Sequence, residues 1–143
     1  MDPVIIMLKQ THPDARKPFY ATNGSAGCDF YSVEDVLLAP GETKKIRTGI
    51  AMEIPEGYFL KMEGRSGLSS KGIFQAGGVI DSDYRGEVHI VLYNSTPSPF
   101  SIQKGDRIAQ GVVVQINQAH FAQVDALSKT ERGEGGFQST GLR

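Results

Sequence analysis

Five segments of the chain concentrate the residue types that bind phosphate, carry protons or let a backbone approach a ligand. They combine Asp, Arg, Ser and Gly, and they span 26–32, 64–72, 77–86, 104–110 and 132–141. In the second segment, Arg65-Ser66-Gly67 supplies a guanidinium fork, a hydroxyl and an unobstructed backbone N–H. If a short helix starts there, its first amides add to an anion site. A polar turn with a surface arginine fits this segment equally well.

The segment 77–86 holds two glycines, an apolar Val-Ile pair and the run Asp81-Ser82-Asp83-Tyr84. We expect a strand that enters a tight turn and leaves through a strand at 87–93. The glycines of such a hairpin would let the backbone approach a planar ligand closely. An aspartate and an aromatic residue at its tip suit catalysis. An ordinary β-turn has the same composition and is the favoured interpretation of this segment taken alone.

The C-terminal residues 129–143 differ from the rest of the chain. Their composition turns to Gly, Ser, Thr and charged residues, with Phe137 as the only aromatic. We therefore divide the chain into a domain at 1–128 and a flexible arm at 129–143. Arg132, Ser139 and Thr140 are phosphate ligands by type, and Phe137 is expected to stack on a flat ligand. The alternative is a disordered tail with an incidental aromatic residue.

Several function classes are excluded by what the sequence lacks. There is no G-x-x-x-x-G-K-[ST] phosphate loop, no G-x-G-x-x-G after a strand, and no C-x-x-C with H-x-E for a zinc deaminase. The net charge of −1 gives no global positive field to hold nucleic acid. Cys28 is the single cysteine, which rules out an internal disulfide and favours a reducing compartment.

The pattern of apolar residues predicts one all-β domain. The chain has 143 residues, of which 17 are Gly and 7 are Pro, and turn signals separate short apolar blocks. The clearest strand candidates are 4–8, 36–38, 50–54, 58–62, 88–93 and 108–116. Helical evidence is limited to one or two turns at 68–71. The opening apolar run at 4–8 is too short for a signal peptide or a membrane span, so we expect a protein that is neither secreted nor membrane-bound.

Together and in this order, the five segments resemble the five motifs of the trimeric dUTP pyrophosphatases (dUTPases), from Gly27 to Gly141. The resemblance implies a jelly-roll-like β-barrel that forms a homotrimer with active sites shared between subunits. It implies Mg²⁺-dependent hydrolysis of dUTP to dUMP and pyrophosphate, by water attack on the α-phosphorus. Such a reaction limits uracil in DNA and supplies dUMP for thymidylate synthesis. The expected location is the cytoplasm, or the nucleus or host cytoplasm for a eukaryotic or viral source.

The resemblance also implies residue roles. Asp81 resembles the aspartate that orients and deprotonates the attacking water, and Tyr84 the aromatic that packs under the deoxyribose and excludes a 2′-hydroxyl. The backbone from Gly78 through Val79 and Ile80 would read the polar edge of uracil and exclude the thymine methyl. Asp29 resembles the aspartate that supports the metal through water. The residues that resemble triphosphate contacts are Arg65, Ser66, Gly67 and Gln110, and those that resemble the closing arm are Arg132, Phe137, Ser139 and Thr140.

Four positions depart from the family pattern. Ser82 stands where a glutamate is common, and little effect is expected from it. Gly64 replaces the usual Pro, which would loosen the backbone before Arg65. Gly111 replaces a bulkier apolar residue, which would soften trimer packing. Gln138 replaces the usual Gly between Phe137 and Ser139, which would alter closure of the arm. Two other functions stay open: a dCTP deaminase of the same fold, and a non-catalytic regulatory protein that resembles a dUTPase.

Overall fold

The computed structural model describes residues 2–137, and the all-β prediction is confirmed for them. Ten strands and one four-residue helix make up the regular structure of this range. In chain order they are β1 (Met7–Gln10), β2 (Cys28–Tyr31), β3 (Val36–Leu38), β4 (Thr43–Glu53), β5 (Tyr58–Glu63), α1 (Ser66–Ser69), β6 (Ile73–Ala76), β7 (Val79–Ile80), β8 (Glu87–Asn94), β9 (Phe100–Ile102) and β10 (Arg107–Gln115).

The strands pair antiparallel in two four-stranded sheets and one two-stranded sheet. The first sheet has the order β1-β4-β8-β6, the second β2-β10-β5-β7, and β3 pairs with β9. Alternating side chains point between the sheets, as the period-two pattern predicts. Val88, Ile90 and Leu92 of β8 are buried together, and Leu60 and Met62 of β5 close the core from the opposite sheet. This arrangement is the predicted jelly-roll-like architecture.

Several details of the predicted elements were wrong. The strand expected at 50–54 is the last part of β4, which begins at Thr43 and ends at Glu53. The opening strand is β1 at Met7–Gln10 rather than 4–8, because pairing with β4 sets its bounds. The helix begins at Ser66 rather than Leu68, since the Arg65 carbonyl already accepts from the amides of Leu68 and Ser69. The segment 77–86 is not a β-hairpin: β7 pairs with β5, whereas β8 lies in the other sheet. The Asp81–Tyr84 turn therefore carries the chain from one sheet to the other.

Gly111 is a requirement of the core. It lies in β10 opposite Met62 of β5 and Cys28 of β2. A Cβ at this position would lie 2.9 Å from Cε2 of Phe30 and 3.0 Å from Cδ1 of Leu60. The two large side chains fill the space that a bulkier residue would need. The expected effect of Gly111 on trimer packing stays a prediction.

A charged bridge ties three elements of the first sheet together. Arg47 of β4 donates from Nε and Nη2 to the Glu87 carboxylate of β8, at 3.0 and 2.9 Å, and the Thr11 hydroxyl beyond β1 donates to the same group. These contacts lie beside the irregular register between Arg47 and Ala51, where the β4–β8 ladder is interrupted. The hydrogen bonds from Arg47 are the main reason that the pKa of Glu87 falls from 4.5 to about 2. Burial raises this pKa, and the hydrogen bond from Thr11 lowers it further.

We expect Glu87→Gln to destabilise the protein in a pH-dependent way. The folded-state pKa lies below the unfolded one, so the stabilisation is complete above about pH 4.5 and is lost as the pH falls toward about 2. Urea unfolding of both proteins across this range should give a difference in unfolding free energy that shrinks on acidification. Glu131→Gln, at an exposed position of the C-terminal segment, is the control. A difference that is constant with pH would contradict the assignment.

Candidate active site

Two arginines surround one carboxylate at one end of the second sheet. The largely buried Asp29 of β2 has its Oδ1 3.4 Å from Nε of Arg65 and its Oδ2 3.6 Å from Nη1 of Arg107. Arg65 also donates from Nη1 to the Arg107 backbone carbonyl at 3.3 Å. Two guanidinium groups against one carboxylate leave an excess positive charge at this partly exposed position. Such a group suits an anionic ligand.

Gln110 joins this cluster to the segment that precedes α1. It lies in β10 between Asp29 of β2 and Glu63 of β5, and its side-chain amide donates to the Gly64 carbonyl at 3.0 Å. Gly27 leaves the space for this side chain, because a Cβ there would lie 3.0 Å from Cβ of Gln110 and 2.6 Å from its Oε1. The structure therefore brings together Asp29, Arg65 and Gln110, which come from three different sequence segments.

The Arg65-Ser66-Gly67 segment has the helical start that the anion-site interpretation requires. Ser66 and Gly67 are the first two residues of α1, and a Cβ added at Gly67 would meet nothing within 4 Å. The Arg65 guanidinium is oriented by Asp29 rather than pointing freely into solvent. These features favour an anion site over a polar turn with a surface arginine.

The backbone of the third segment is shaped by two consecutive glycines. Gly77 and Gly78 have φ angles of 73° and 127°, which side-chain-bearing residues rarely adopt. The Gly78 carbonyl accepts from the Met62 amide at 2.7 Å, and a Cβ on Gly78 would lie 2.8 Å from the Met62 carbonyl oxygen. Gln75 donates from its side chain to the carbonyls of Ala76 and Gly77, at 2.9 and 3.3 Å. This leaves Val79 exposed on a rigid, narrow edge.

Asp81 and Tyr84 occupy the turn that follows. The Tyr84 amide donates to the Asp81 carbonyl at 3.1 Å, and the Tyr84 hydroxyl donates to the Glu87 carbonyl at 2.8 Å. Both side chains are exposed. Asp81 lines an open cavity of about 750 Å³, whose walls include Tyr58 and Ile116. An exposed carboxylate at the wall of a cavity can accept a proton from a water placed next to a bound ligand.

Within a single chain, Asp81 lies away from the arginine cluster, which consists of Arg65 and Arg107 on Asp29. Strand β5 pairs with β10 on one edge, where Glu63 faces Gln110, and with β7 on the other edge, where Leu60 faces Ile80. Glu63 lies three positions after Leu60, which is about 10 Å at 3.3 Å per residue. Asp81 follows Ile80 and lies farther still from the cluster. Within one chain, Gly78 lies beside Met62 and so near the Glu63 end of β5, whereas Asp81 lies beyond Leu60.

The C-terminal segment after β10 is largely exposed. Strand β10 ends at Gln115, and no helix or strand occurs between there and Phe137. Phe121 and Leu127 are 96% and 87% exposed, and Phe137 is fully exposed. Arg132 donates from Nε to the Gly135 carbonyl at 2.6 Å, within its own loop. Ser139 and Thr140 lie outside the described residues, as does Gln138, and the division of the chain at 128 stays a prediction.

The described residues form no protein-only metal cage. Between residues 2 and 137, no three His, Cys, Asp or Glu side chains are grouped closely enough to hold a metal ion. Asp29 could act on a metal only at a distance, since each of its oxygens faces a guanidinium group. This fits Mg²⁺, which keeps several of its waters and takes phosphate oxygens from a substrate. Within the same range, no helix is long and apolar enough to cross a membrane.

Sequence reasoning assigned no role to Arg107, Gln75 or Gly27. Arg107 stands in the same segment as Gln110, but a basic residue at the start of a strand has no distinctive pattern. Its contact with Asp29 depends on the β2–β10 register. Cys28 is buried, and burial raises the pKa of its thiol, which disfavours the reactive thiolate form.

Proteins with a named activity are similar in sequence to this chain. The family model described as dUTPase matches residues 14–141. The deoxyuridine 5′-triphosphate nucleotidohydrolase of Nautilia profundicola is 45% identical, over 95% of this chain and 98% of the relative. The enzyme of the same name from Zymomonas mobilis is 48% identical, over 87% of this chain and 88% of the relative.

Solved structures share the fold as well. The dUTPase of Staphylococcus bacteriophage 80alpha, in complex with dUpNHpp, superimposes with a TM-score of 0.91 at 33% identity, covering 96% of this chain and 99% of that one. A dUTPase from phage phi11 of S. aureus, which coordinates a structural Mg(II) ion, gives 0.83 at 28% identity, covering 87% and 99%. In sequence, fold and the order of its motifs, the chain belongs to the dUTPase family.

Proposed function

We propose that this protein hydrolyses dUTP to dUMP and pyrophosphate, with the triphosphate held by the Arg65 cluster and the nucleoside by the 77–84 segment. The observation that carries the proposal is the double guanidinium group on Asp29, joined through Gln110 to the start of α1. This is a preformed anion site in a chain with a net charge of only −1.

The triphosphate contacts follow from this geometry. The Arg65 guanidinium has donors beyond those that face Asp29, and Ser66 and Gly67 add a hydroxyl and an unobstructed backbone at the start of α1. Gln110 fixes the Gly64 carbonyl and so limits the movement of this loop. The expectation that Gly64 loosens the backbone is offset by this hydrogen bond. Positioning and charge neutralisation are the main demands of phosphoryl transfer.

The base would be contacted by backbone and the sugar by one side chain. Gly78, Val79 and Ile80 present a narrow edge pinned to β5 by the ladder and by the Met62–Gly78 hydrogen bond. Such an edge can pair with the polar side of uracil and has little freedom to admit a 5-methyl group. The Tyr84 ring, anchored through its hydroxyl, would lie under the deoxyribose and exclude a 2′-hydroxyl.

Asp81 is the proposed base. Its exposed carboxylate takes the proton as water attacks the α-phosphorus and the P–O bond to the β-phosphate breaks, with pyrophosphate as the leaving group. Asp29 would act on a triphosphate-bound Mg²⁺ through water. When bound, Mg²⁺ supplies neutralisation of phosphate charge.

A homotrimer completes the site. Because Asp81 and Arg65 stand apart within one chain, the 77–84 segment of a neighbouring subunit would meet the Arg65 cluster. The exposed C-terminal segment is long enough to reach a further subunit, where Arg132 and Phe137, followed by Ser139 and Thr140, would cover the substrate. The single buried cysteine stays consistent with the predicted cytoplasmic location.

The proposed reaction is tested by pyrophosphate release from a panel of nucleoside triphosphates, with ammonia measured in the dCTP sample. We expect release from dUTP alone, and Asp81→Asn should lower the turnover roughly 10²–10⁴-fold while dUTP binding is retained. Asp83→Asn in the same turn is the matched control and should stay active. Ammonia from dCTP would support a deaminase, and full activity of Asp81→Asn would exclude Asp81 as the base.

The oligomeric state gives a separate test. Sedimentation of the active protein should give three times the 15.5 kDa mass of one chain. A fully active species with the mass of a single chain would refute the shared site.

Deletion of residues 129–143 should slow the reaction and leave a folded trimer. The segment contributes little to the core, whereas stacking by Phe137 could contribute about 1–3 kcal/mol. An arginine that neutralises transferring phosphate can contribute about 10³–10⁵ in rate. The loss should therefore fall mainly on kcat, with Tm unchanged. Lys129→Ala in the full chain is the control, and unchanged kinetics of the truncated protein would show that the arm is an incidental tail.

A further inference from the structure

Gly86 lies two residues after Tyr84, immediately before β8, and the Tyr84 ring occupies the space beside its Cα. The three atoms nearest to the position of an added Cβ all belong to Tyr84. Cζ of the ring lies at 2.6 Å and Cε1 at 2.9 Å, with the hydroxyl oxygen closer than either. Real Cβ atoms essentially never come within 3.0 Å of a heavy atom. The ring can rest where it does only because residue 86 has no side chain.

Backbone conformation does not account for this glycine. Eight other glycines of the described chain have positive φ angles, and Gly86 is not among them. Gly86 therefore lies outside the left-handed φ range in which an alanine would be strained. The requirement at position 86 is therefore for space, and the group that takes the space is the proposed sugar-contacting residue.

The far end of the ring is fixed as well. The Tyr84 hydroxyl donates to the Glu87 carbonyl at 2.8 Å, and the Glu87 side chain is itself held by Arg47 and Thr11. Between these two supports, Tyr84 remains 43% exposed. The ring is thus supported by Gly86 and Glu87 while a surface stays open to a ligand.

We propose that Gly86 is a positioning residue for sugar specificity. Because it has no side chain, it leaves a space beside its Cα that the Tyr84 ring occupies, and this space is called the seat of the ring. This inference rests on the proposed function, in which Tyr84 excludes a 2′-hydroxyl. A methyl group at position 86 pushes the ring off its seat and breaks the hydroxyl contact with Glu87. The displaced ring no longer fills a fixed volume next to C2′, so a ribonucleotide is rejected less strongly.

The test is a double-mutant cycle read out as the ratio of kcat/KM for dUTP to that for UTP. Gly86→Ala should lower this ratio by roughly tenfold or more, a size typical of steric discrimination by one small group. Tyr84→Ala should lower it too. In the double variant, Gly86→Ala should cause no further change, because its effect passes through the ring. Gly24→Ala, at an exposed loop position with nothing within 4 Å of the added Cβ, is the matched control and should keep the wild-type ratio.

The outcomes separate this inference from the function on which it rests. If Tyr84→Ala lowers the ratio and Gly86→Ala does not, the seat is refuted and the sugar-selecting role of Tyr84 stands. An equal effect of Gly86→Ala with and without Tyr84 also refutes it. An unchanged ratio in Tyr84→Ala overturns the role of Tyr84 and the seat together, while hydrolysis of dUTP by the unmodified protein still tests the reaction itself. If Gly86→Ala fails to fold, recovery of folding in the double variant supports the seat, and failure of both refutes it.

Discussion

The arrangement of the candidate site depends on the register of one strand. Strand β5 is hydrogen-bonded on both edges, and its two neighbours carry different parts of the chemistry. At the Glu63 end, β10 contributes Gln110, which lies beside Asp29 and the start of α1. At the Leu60 end, β7 leads into Asp81 and Tyr84. A backbone ladder is too rigid to bring these ends together, so the separation of the two groups is a fixed property of the fold.

Charge and space within each group are arranged in part by residues to which no separate substrate contact is assigned. Arg107 shares the Asp29 carboxylate with Arg65, which limits where the Arg65 guanidinium can lie. Gly27 provides room for Gln110, and Gly86 provides room for Tyr84. In each case a neighbouring element sets the direction of a site side chain before a ligand binds. Such preorganisation lowers the cost of ordering the site during binding.

The sequence predicted most of the fold, because half-buried strands record their faces in alternating residues. Val88, Ile90 and Leu92 stand two residues apart in the predicted strand at 88–93 and are buried together. The alternation of residues does not show which strand pairs with which. The segment at 77–86 has the composition of a hairpin, yet its first strand pairs with β5 and its second belongs to another sheet. Only the packing of the whole chain decides between these alternatives.

The site residues were likewise predictable only where the local sequence carries a motif. Asp29, Arg65 and Gln110 could be named because their motifs have a known order, and the structure brings them together. Arg107, Gln75 and Gly86 act through contacts that depend on register and on empty space, and neither leaves a local signature in the sequence. The roles of Ser139 and Thr140 rest on the motif alone.

The central claim is that each active site combines groups from different subunits, and subunit mixing tests it most directly. Two inactive variants, Arg65→Gln and Asp81→Asn, carry different tags, are unfolded together and are refolded as mixed oligomers that both tags retain. In every mixed trimer, a site that takes Asp81 from one subunit and Arg65 from the next should be intact at one of the three positions, so activity should return to about one third of the wild-type value. Mixed oligomers that form and remain inactive would contradict the account.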